Sequence, residues 1–238
     1  MSLAALSAAA LLRLCDAGAR RGGIDRALLI LREAFPAVDP EVWLRMPIGR
    51  RDAHLMDVRE ATYGAALPCV VHCPACREKL EFTVDLRALR LQPPPGDGPF
   101  ELTVGHHCVR FRLPDSADLA FAADALELDE VRARLLHRCV LDGPDPLSPE
   151  LADAVSVEMA RRDPQADVSF DQTCPECGAR WSAPFDVGAY LWREIEADGA
   201  RLLDDVDALA RVYGWSEAEI LSLSSARRQQ YLRRVGAP

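Results

Sequence analysis

Eight cysteines occur in the 238 residues, and four of them form two matching pairs: Cys73-Pro74-Ala75-Cys76 and Cys174-Pro175-Glu176-Cys177. Two cysteines separated by two residues can close a tight turn that aims both sulfurs at one ion. Backbone N–H groups around such a turn hydrogen-bond the sulfurs, and four thiolates complete a tetrahedron with Zn–S distances of about 2.3 Å. Proline inside each pair stiffens the turn. Gly178 follows the second pair and permits a left-handed backbone; Arg77 holds the equivalent place after the first. The expected site is one structural Zn2+ held by Cys73, Cys76, Cys174 and Cys177, with Arg77, Lys79 and Arg180 offsetting the thiolate charge. A total of 97 residues lies between Cys76 and Cys174. A hairpin at either knuckle would bury little alone, whereas an ion shared by both turns metal binding into folding energy.

Two other readings of the knuckles stand beside this one. They could be reduced turns without metal. They could also be redox pairs, but a reactive C-x-x-C favours a helix N-terminus, where the dipole lowers the thiol pKa. Strand-like sequence follows both pairs here. Cys69 and His72 adjoin the first knuckle and are rival ligands, although both read as strand residues, Cys69 as a small buried hydrophobe. Cys15 and Cys139 fall in helical stretches and read as core. His106-His107-Cys108 looks like a second metal site, yet the hairpin register expected there sends His107 and Cys108 to opposite faces. His54 and His137 are lone helical histidines. No nucleophile elbow, phosphate loop or H-E-x-x-H motif occurs. Four cysteines also close the coordination shell that a catalytic zinc must leave open. The chain therefore reads as neither an enzyme nor a small-molecule binder.

The elements that must position the knuckles follow from periodicity. Residues 1–64 read as an N-terminal helical region. Leu3, Leu6, Ala10, Leu11 and Leu14 form one apolar face; Ala27, Leu28, Leu31 and Ala34 form the next, after a Gly22-Gly23 break. Asp39-Pro40 reads as a cap with proline at the first helical position. Residues 50–63 form another helix, ended by Gly64. Residues 65–92 hold the first half of the ribbon, with Leu80, Phe82 and Val84 alternating, and Pro93-Pro94-Pro95-Gly96 closes it. Residues 93–166 are an insertion that opens with a hairpin turning at Gly105-His106. In that register Val104 faces His107, Leu102 faces Val109 and Phe100 faces Phe111, while Glu101 faces Arg110 and Thr103 faces Cys108. A helix over residues 116–139 and another from Ser148 or Pro149 to Arg162 complete it. Residues 167–186 supply the second half of the ribbon. Residues 187–238 form a C-terminal helical region with a long helix to Tyr213, a capping box at Ser216-x-x-Glu219 and a last helix over residues 225–235. The fold class is α+β, mainly helical, with a four-cysteine zinc ribbon split by a hairpin-plus-helix insertion and flanked by N- and C-terminal helices.

Composition bounds the function. The net charge is −9, which argues against non-specific nucleic-acid binding. Arginine outnumbers lysine 27 to one and asparagine is absent, a codon-usage signature that weakens arginine count as evidence of phosphate binding. The first residues lack a charged n-region, and Arg13 interrupts their apolar run, so they read as an amphipathic helix and not a signal peptide. No apolar run is long enough for a membrane span. A cytoplasmic setting is expected, in which cysteines stay reduced and paired knuckles point to metal. Arg227, Arg228, Arg233 and Arg234 on the last helix read either as charges placed near a helix C-terminus or as a docking patch for an acidic partner. Trp192, Tyr213, Trp215 and Tyr231 read as interface anchors or as core.

Three stretches carry a resemblance beyond the knuckles: residues 47–64 (PIGRRDAHLMDVREATYG), 111–120 (FRLPDSADLA) and 213–232 (YGWSEAEILSLSSARRQQYL). With the knuckles, they make the chain resemble the baseplate, hub-assembly chaperone-like proteins of contractile-tail phages and of bacterial contractile injection systems. The resemblance implies a structural or assembly role in a syringe-like baseplate. Baseplate or hub proteins would then be the partners, in the cytoplasm of the producing cell or within an assembled particle. The alternative is a zinc-ribbon nucleic-acid-binding accessory factor; a thiol oxidoreductase is a third reading.

Overall fold

The computed structural model describes residues 3–92 and 98–236. The proline-rich stop expected at Pro93 to Gly96 lies outside the described residues. Helix α1 (Ala8–Gly18) starts at Ser7, whose hydroxyl accepts the Ala10 N–H. Leu6, just before the cap, is buried, whereas Leu3 is exposed and lies outside the apolar stripe. Helix α2 (Gly23–Ala34) starts at the second glycine of the pair, with Gly22 at its cap position. Asp39 caps α3 (Pro40–Arg45) by accepting the Glu41 N–H. Helix α4 (Ile48–Tyr63) starts after Pro47 and ends at Gly64, which holds a φ of 85° and donates to the Glu60 carbonyl.

Strands β1 (Ala66–His72) and β2 (Lys79–Asp85) form an antiparallel hairpin around the first knuckle. The insertion opens with β3 (Phe100–Val104) and β4 (His107–Phe111), paired in all five positions as the alternation predicts. The expected helix over residues 116–139 is two helices, α5 (Ser116–Ala122) and α6 (Leu128–Cys139). Between them Ala123 and Ala125 bond back three residues instead of four. Arg134 donates to the Phe121 carbonyl that the break releases. A short strand that the sequence reading lacks, β5 (Val140–Asp142), then pairs with β4 to give a sheet of order β3-β4-β5. Helix α7 (Pro149–Arg162) carries Ser148 as its cap. Strands β6 (Ser169–Thr173) and β7 (Arg180–Pro184) form the hairpin of the second knuckle. Helices α8 (Val187–Tyr213), α9 (Glu217–Ser222) and α10 (Ser225–Val235) complete the chain, with the expected capping box at Ser216 and Glu219.

The chain divides into two compact units. Met1–Ala37 joins Gly188–Pro238 in one; Val38–Val187 forms the other. In the first, Ile30, Leu31, Leu191 and Ile195 are fully buried, and Gly18 lets the Trp192 ring lie against α1. Arg26 lies over the same ring at 4.6 Å. Trp192 is thus core. Tyr213, Trp215 and Tyr231 pack on one another with centroids 4.6 to 5.6 Å apart, beside buried Leu209, Ile220 and Leu232. The four arginines of α10 do not make one patch. Arg228 is buried and donates to Asp205 at 2.8 Å, and Arg227 and Arg228 lie toward the helix start. Only Arg233 and Arg234 sit in the last turn, where the dipole favours them.

The second unit carries the knuckles. Trp43, Leu55, Met56 and Val58 are buried, as are Leu67 and Leu86 at the open end of the first hairpin. The insertion has its own core of Phe100, Val109, Phe111, Leu136, Cys139, Leu151, Val155 and Met159. Gln165 clasps the points where the chain enters and leaves this segment. Its side chain accepts the Leu91 N–H at 2.7 Å and donates to the Leu89 carbonyl at 3.3 Å.

Candidate metal centre

Each knuckle is built by the same backbone bonds. Cys73 N–H donates to the Glu78 carbonyl and Arg77 N–H to the Cys73 carbonyl; Cys174 N–H donates to Ala179 and Gly178 N–H to Cys174, all at 2.9 to 3.0 Å. The first cysteine of each pair is buried and the second exposed. Phe82 of β2 meets Phe170 of β6 edge to face at 5.8 Å, and Phe170 packs on Phe185 at 5.3 Å. This aromatic contact holds the two hairpins together beside the knuckles.

The four sulfurs converge. Cys73 Sγ lies 3.6 Å from Cys177 Sγ, Cys76 Sγ lies 3.5 Å from Cys174 Sγ, and all four are within 4.8 Å of one another. A tetrahedral zinc with Zn–S of about 2.3 Å requires sulfurs about 3.8 Å apart. The spacing and the all-thiol donor set fit such an ion, and Cys73, Cys76, Cys174 and Cys177 would hold it. A bound ion of this kind supplies a closed structural cross-link and neutralises thiolate charge.

Electrostatics of the bare thiols explain why a cation suits the place. The Cys76 and Ala75 N–H groups aim at Cys73 and hold its pKa down to about 7, against an opposing effect of burial. The Glu78 N–H favours the Cys76 thiolate, but partial desolvation and hydrogen bonding with the three other sulfurs outweigh it and push Cys76 up to about 12. At Cys177 the Ala179 N–H and the hydrogen bond with Cys76 pull downward, and partial desolvation with the sulfurs of Cys73 and Cys174 wins in the upward direction. One thiol of the cluster is thus held low while two are pushed up, and a divalent cation would favour the thiolate form of all four.

The rival ligands stand apart. Among the described residues the close sulfur cluster contains the four knuckle cysteines and neither Cys69 nor His72. Cys69 is buried and pairs with Phe82 in the strand register; His72 is exposed opposite Lys79. Lys79 forms an ion pair with Glu81. Thr103 pairs with Cys108 and Val104 with His107, so those two neighbours point to opposite faces of β4. His54 packs edge-on against Trp43 at 5.2 Å, and exposed His137 lies in the last turn of α6. Cys15 donates to the Ile195 carbonyl at 3.5 Å.

A second constellation was not singled out by sequence reasoning. Asp118 is fully buried and accepts two bonds from Arg112, at 2.5 and 2.9 Å, and one from Arg138 at 2.6 Å. The Asp115 N–H and the Cys139 thiol also donate to it. Burial alone would raise the Asp118 pKa; Arg112, the Asp115 N–H and Arg138 overturn that and hold the carboxyl well below the usual range. Burial and the Asp118 carboxylate push the Cys139 thiol up to about 12, so it stays a protonated donor. The available signal was the Asp115-x-x-Asp118 spacing, a capping box on α5.

This network joins two of the stretches that carry the family resemblance. Pro47 bridges Asp115, and the Ile48 N–H donates to the Pro114 carbonyl at 3.2 Å. Buried Arg51 donates to Ser116 Oγ at 3.0 Å. Gly49 donates to Asp163 Oδ2 at 2.8 Å and lies so close that a Cβ there would meet the Asp163 carboxylate at 2.1 Å. The start of α4 and the start of α5 therefore form one buried polar joint.

Comparison with known proteins agrees with where that joint lies. No curated protein and no solved structure matches the chain. Residues 27–142, a span that contains α4, the insertion hairpin and α5, match the family model described as T4 bacteriophage base plate protein. Over this segment, just under half of its length, the chain is similar to a phage baseplate protein family.

Proposed function

We propose that this protein is a structural or assembly (chaperone-like) component of the baseplate of a phage-like contractile injection system, and that one structural zinc in a split zinc ribbon stabilises it. The observation that carries the reading is the baseplate family match over residues 27–142. The buried joint between α4 and α5 supports it, since the residues of the resemblance are spent on architecture and not on a reactive group. The partners are other baseplate or hub proteins, and the setting is the cytoplasm of the producing cell. Among the described residues no helix is long and apolar enough to cross a membrane.

The zinc part of the reading is supported by sulfur spacings of 3.5 and 3.6 Å across the two knuckles. The redox reading loses ground because β2 and β7 follow the knuckles and supply no helix dipole. The nucleic-acid reading has the net charge of −9 against it. Mass spectrometry of purified assembled particles, with affinity capture of the tagged chain from producing cells, tests the role. The chain in the particle, or captured with identified tail proteins, supports it. Absence from both, with normal particles after deletion of the gene, overturns it.

A further inference from the structure

The turn between α5 and α6 shows apolar side chains where folding gives no reason for them. Leu126 is 95% exposed and Leu128 is 86% exposed, with Phe121 half-exposed just before them. Single exposed apolar residues are common, but two leucines one residue apart, both nearly bare, contribute almost nothing to the core of this unit. The turn is also held in shape. Arg134 donates to the Phe121 carbonyl and forms ion pairs with both Asp124 and Glu130, so one guanidinium ties the turn at three points. A turn fixed in this way presents its leucines with little ordering left to do on binding.

Charge states what would cover it. Residues 124–130 contain Asp124, Glu127, Asp129 and Glu130 and no basic residue. Arg134 satisfies Asp124 and Glu130, while Glu127 and Asp129 form no salt bridge among the described residues. Asp129 and Glu130 also suit the first turn of α6, which accounts for their helix but not for the leucines between the acids. We propose that the turn at Leu126 and Leu128 is a docking surface for another baseplate protein, one that offers an apolar socket edged by lysine or arginine. This rests on the baseplate reading above. The leucines enter the socket, and Glu127 and Asp129 meet its basic rim.

The test uses the full-length, tagged chain expressed in cells that build the particle. Leu126→Ser with Leu128→Ser, and separately Glu127→Arg with Asp129→Arg, are compared with the unchanged chain. The readouts are incorporation into purified particles, co-purification of identified baseplate proteins, melting temperature and sedimentation. The leucine variant is expected to lose about tenfold or more in incorporation and co-purification at unchanged melting temperature. The charge-reversal variant is expected to lose binding at low salt, where the unchanged chain binds most strongly. Equal incorporation of both variants overturns the docking surface and leaves the baseplate reading standing. A chain that enters no particle and captures no baseplate protein overturns both. Self-association of the unchanged chain that disappears in the leucine variant overturns the assignment of a different protein as the occupant.

Discussion

Arg77 and Gly178 occupy the same place in their two knuckles and hold the same left-handed backbone, with φ of 67° and 72°. Each donates its N–H to the first cysteine of its pair. Glycine adopts this conformation without cost, whereas an L side chain pays about 1–2 kcal/mol. Arg77→Gly is therefore expected to raise stability by up to about 1 kcal/mol once the added chain entropy of glycine is subtracted. Gly178→Ala is expected to lower it by about 1–2 kcal/mol. Denaturant unfolding of the two variants beside the parent measures both signs.

One metal ion per chain is the expected stoichiometry for the knuckle cluster, measurable by native mass spectrometry or elemental analysis. Cys76→Ser or Cys177→Ser should reduce zinc retention and lower the melting temperature. Cys69→Ser and Cys108→Ser, outside the cluster, should leave the zinc content unchanged. A chelator strong enough to strip the ion should lower the melting temperature of the parent and leave that of the cysteine variants little altered.

Asp118→Asn tests the buried joint. Removing one partner from a buried, hydrogen-bonded charge group costs about 3–5 kcal/mol; here Arg138 loses the Asp118 carboxylate and Arg112 keeps only its longer contact with Asp115. The pH dependence follows from the direction of the shift. The folded pKa of Asp118 lies below its unfolded value of about 3.9, so its stabilisation is fully present above that pH. It is lost as the pH falls below about 4 toward the depressed folded value. Acid also releases metal from thiolates, in parent and variant alike. The difference between their urea midpoints should therefore be constant from pH 5 to 8, a window chosen above the unfolded value, and shrink below about pH 4.

Gly49→Ala should be costly and Gly23→Ala should not. A Cβ at Gly49 would sit 2.1 Å from the Asp163 carboxylate and 2.8 Å from the Ala166 backbone nitrogen. Relieving that contact displaces the α7 C-terminus and breaks the Gly49–Asp163 bond, an expected loss of about 1–3 kcal/mol. A Cβ at Gly23 meets nothing within 4 Å, and alanine there favours the start of α2. Parallel thermal melts of the two variants decide this.

Local signals were legible in the sequence wherever one residue type had one use. Asp39-Pro40, Ser148-Pro149 and Ser216-x-x-Glu219 cap helices as their chemistry requires, and the Gly105-His106 turn fixed every pair of the β3–β4 ladder. The meeting of the four sulfurs was legible from spacing because few other uses exist for two Cys-Pro-x-Cys turns in one chain. What escaped depends on long-range partners. The break after Ala122 needs Arg134 to donate to the freed Phe121 carbonyl, and β5 is too short to show a period. The burial of Asp118 needs two arginines, one of them 20 residues away. The arginine cluster on α10 was misleading for the same reason, since the partner that buries Arg228 is Asp205, on another helix.

The sulfurs of Cys76 and Cys174 lie 3.5 Å apart although 97 residues run between them. The intervening chain is thus an excursion that leaves and returns at the paired knuckles, and further along it Gln165 ties Leu89 and Leu91 across the base of the insertion. Such a segment can lengthen or shorten without moving the frame it hangs from only in the turns outside its ties to α4, which run from Pro47, Gly49 and Arg51 to Asp115, Asp163 and Ser116. Variation among related chains is accordingly expected to accumulate in the excursion's outer turns, while the residues at its roots set the one geometry that every length must satisfy.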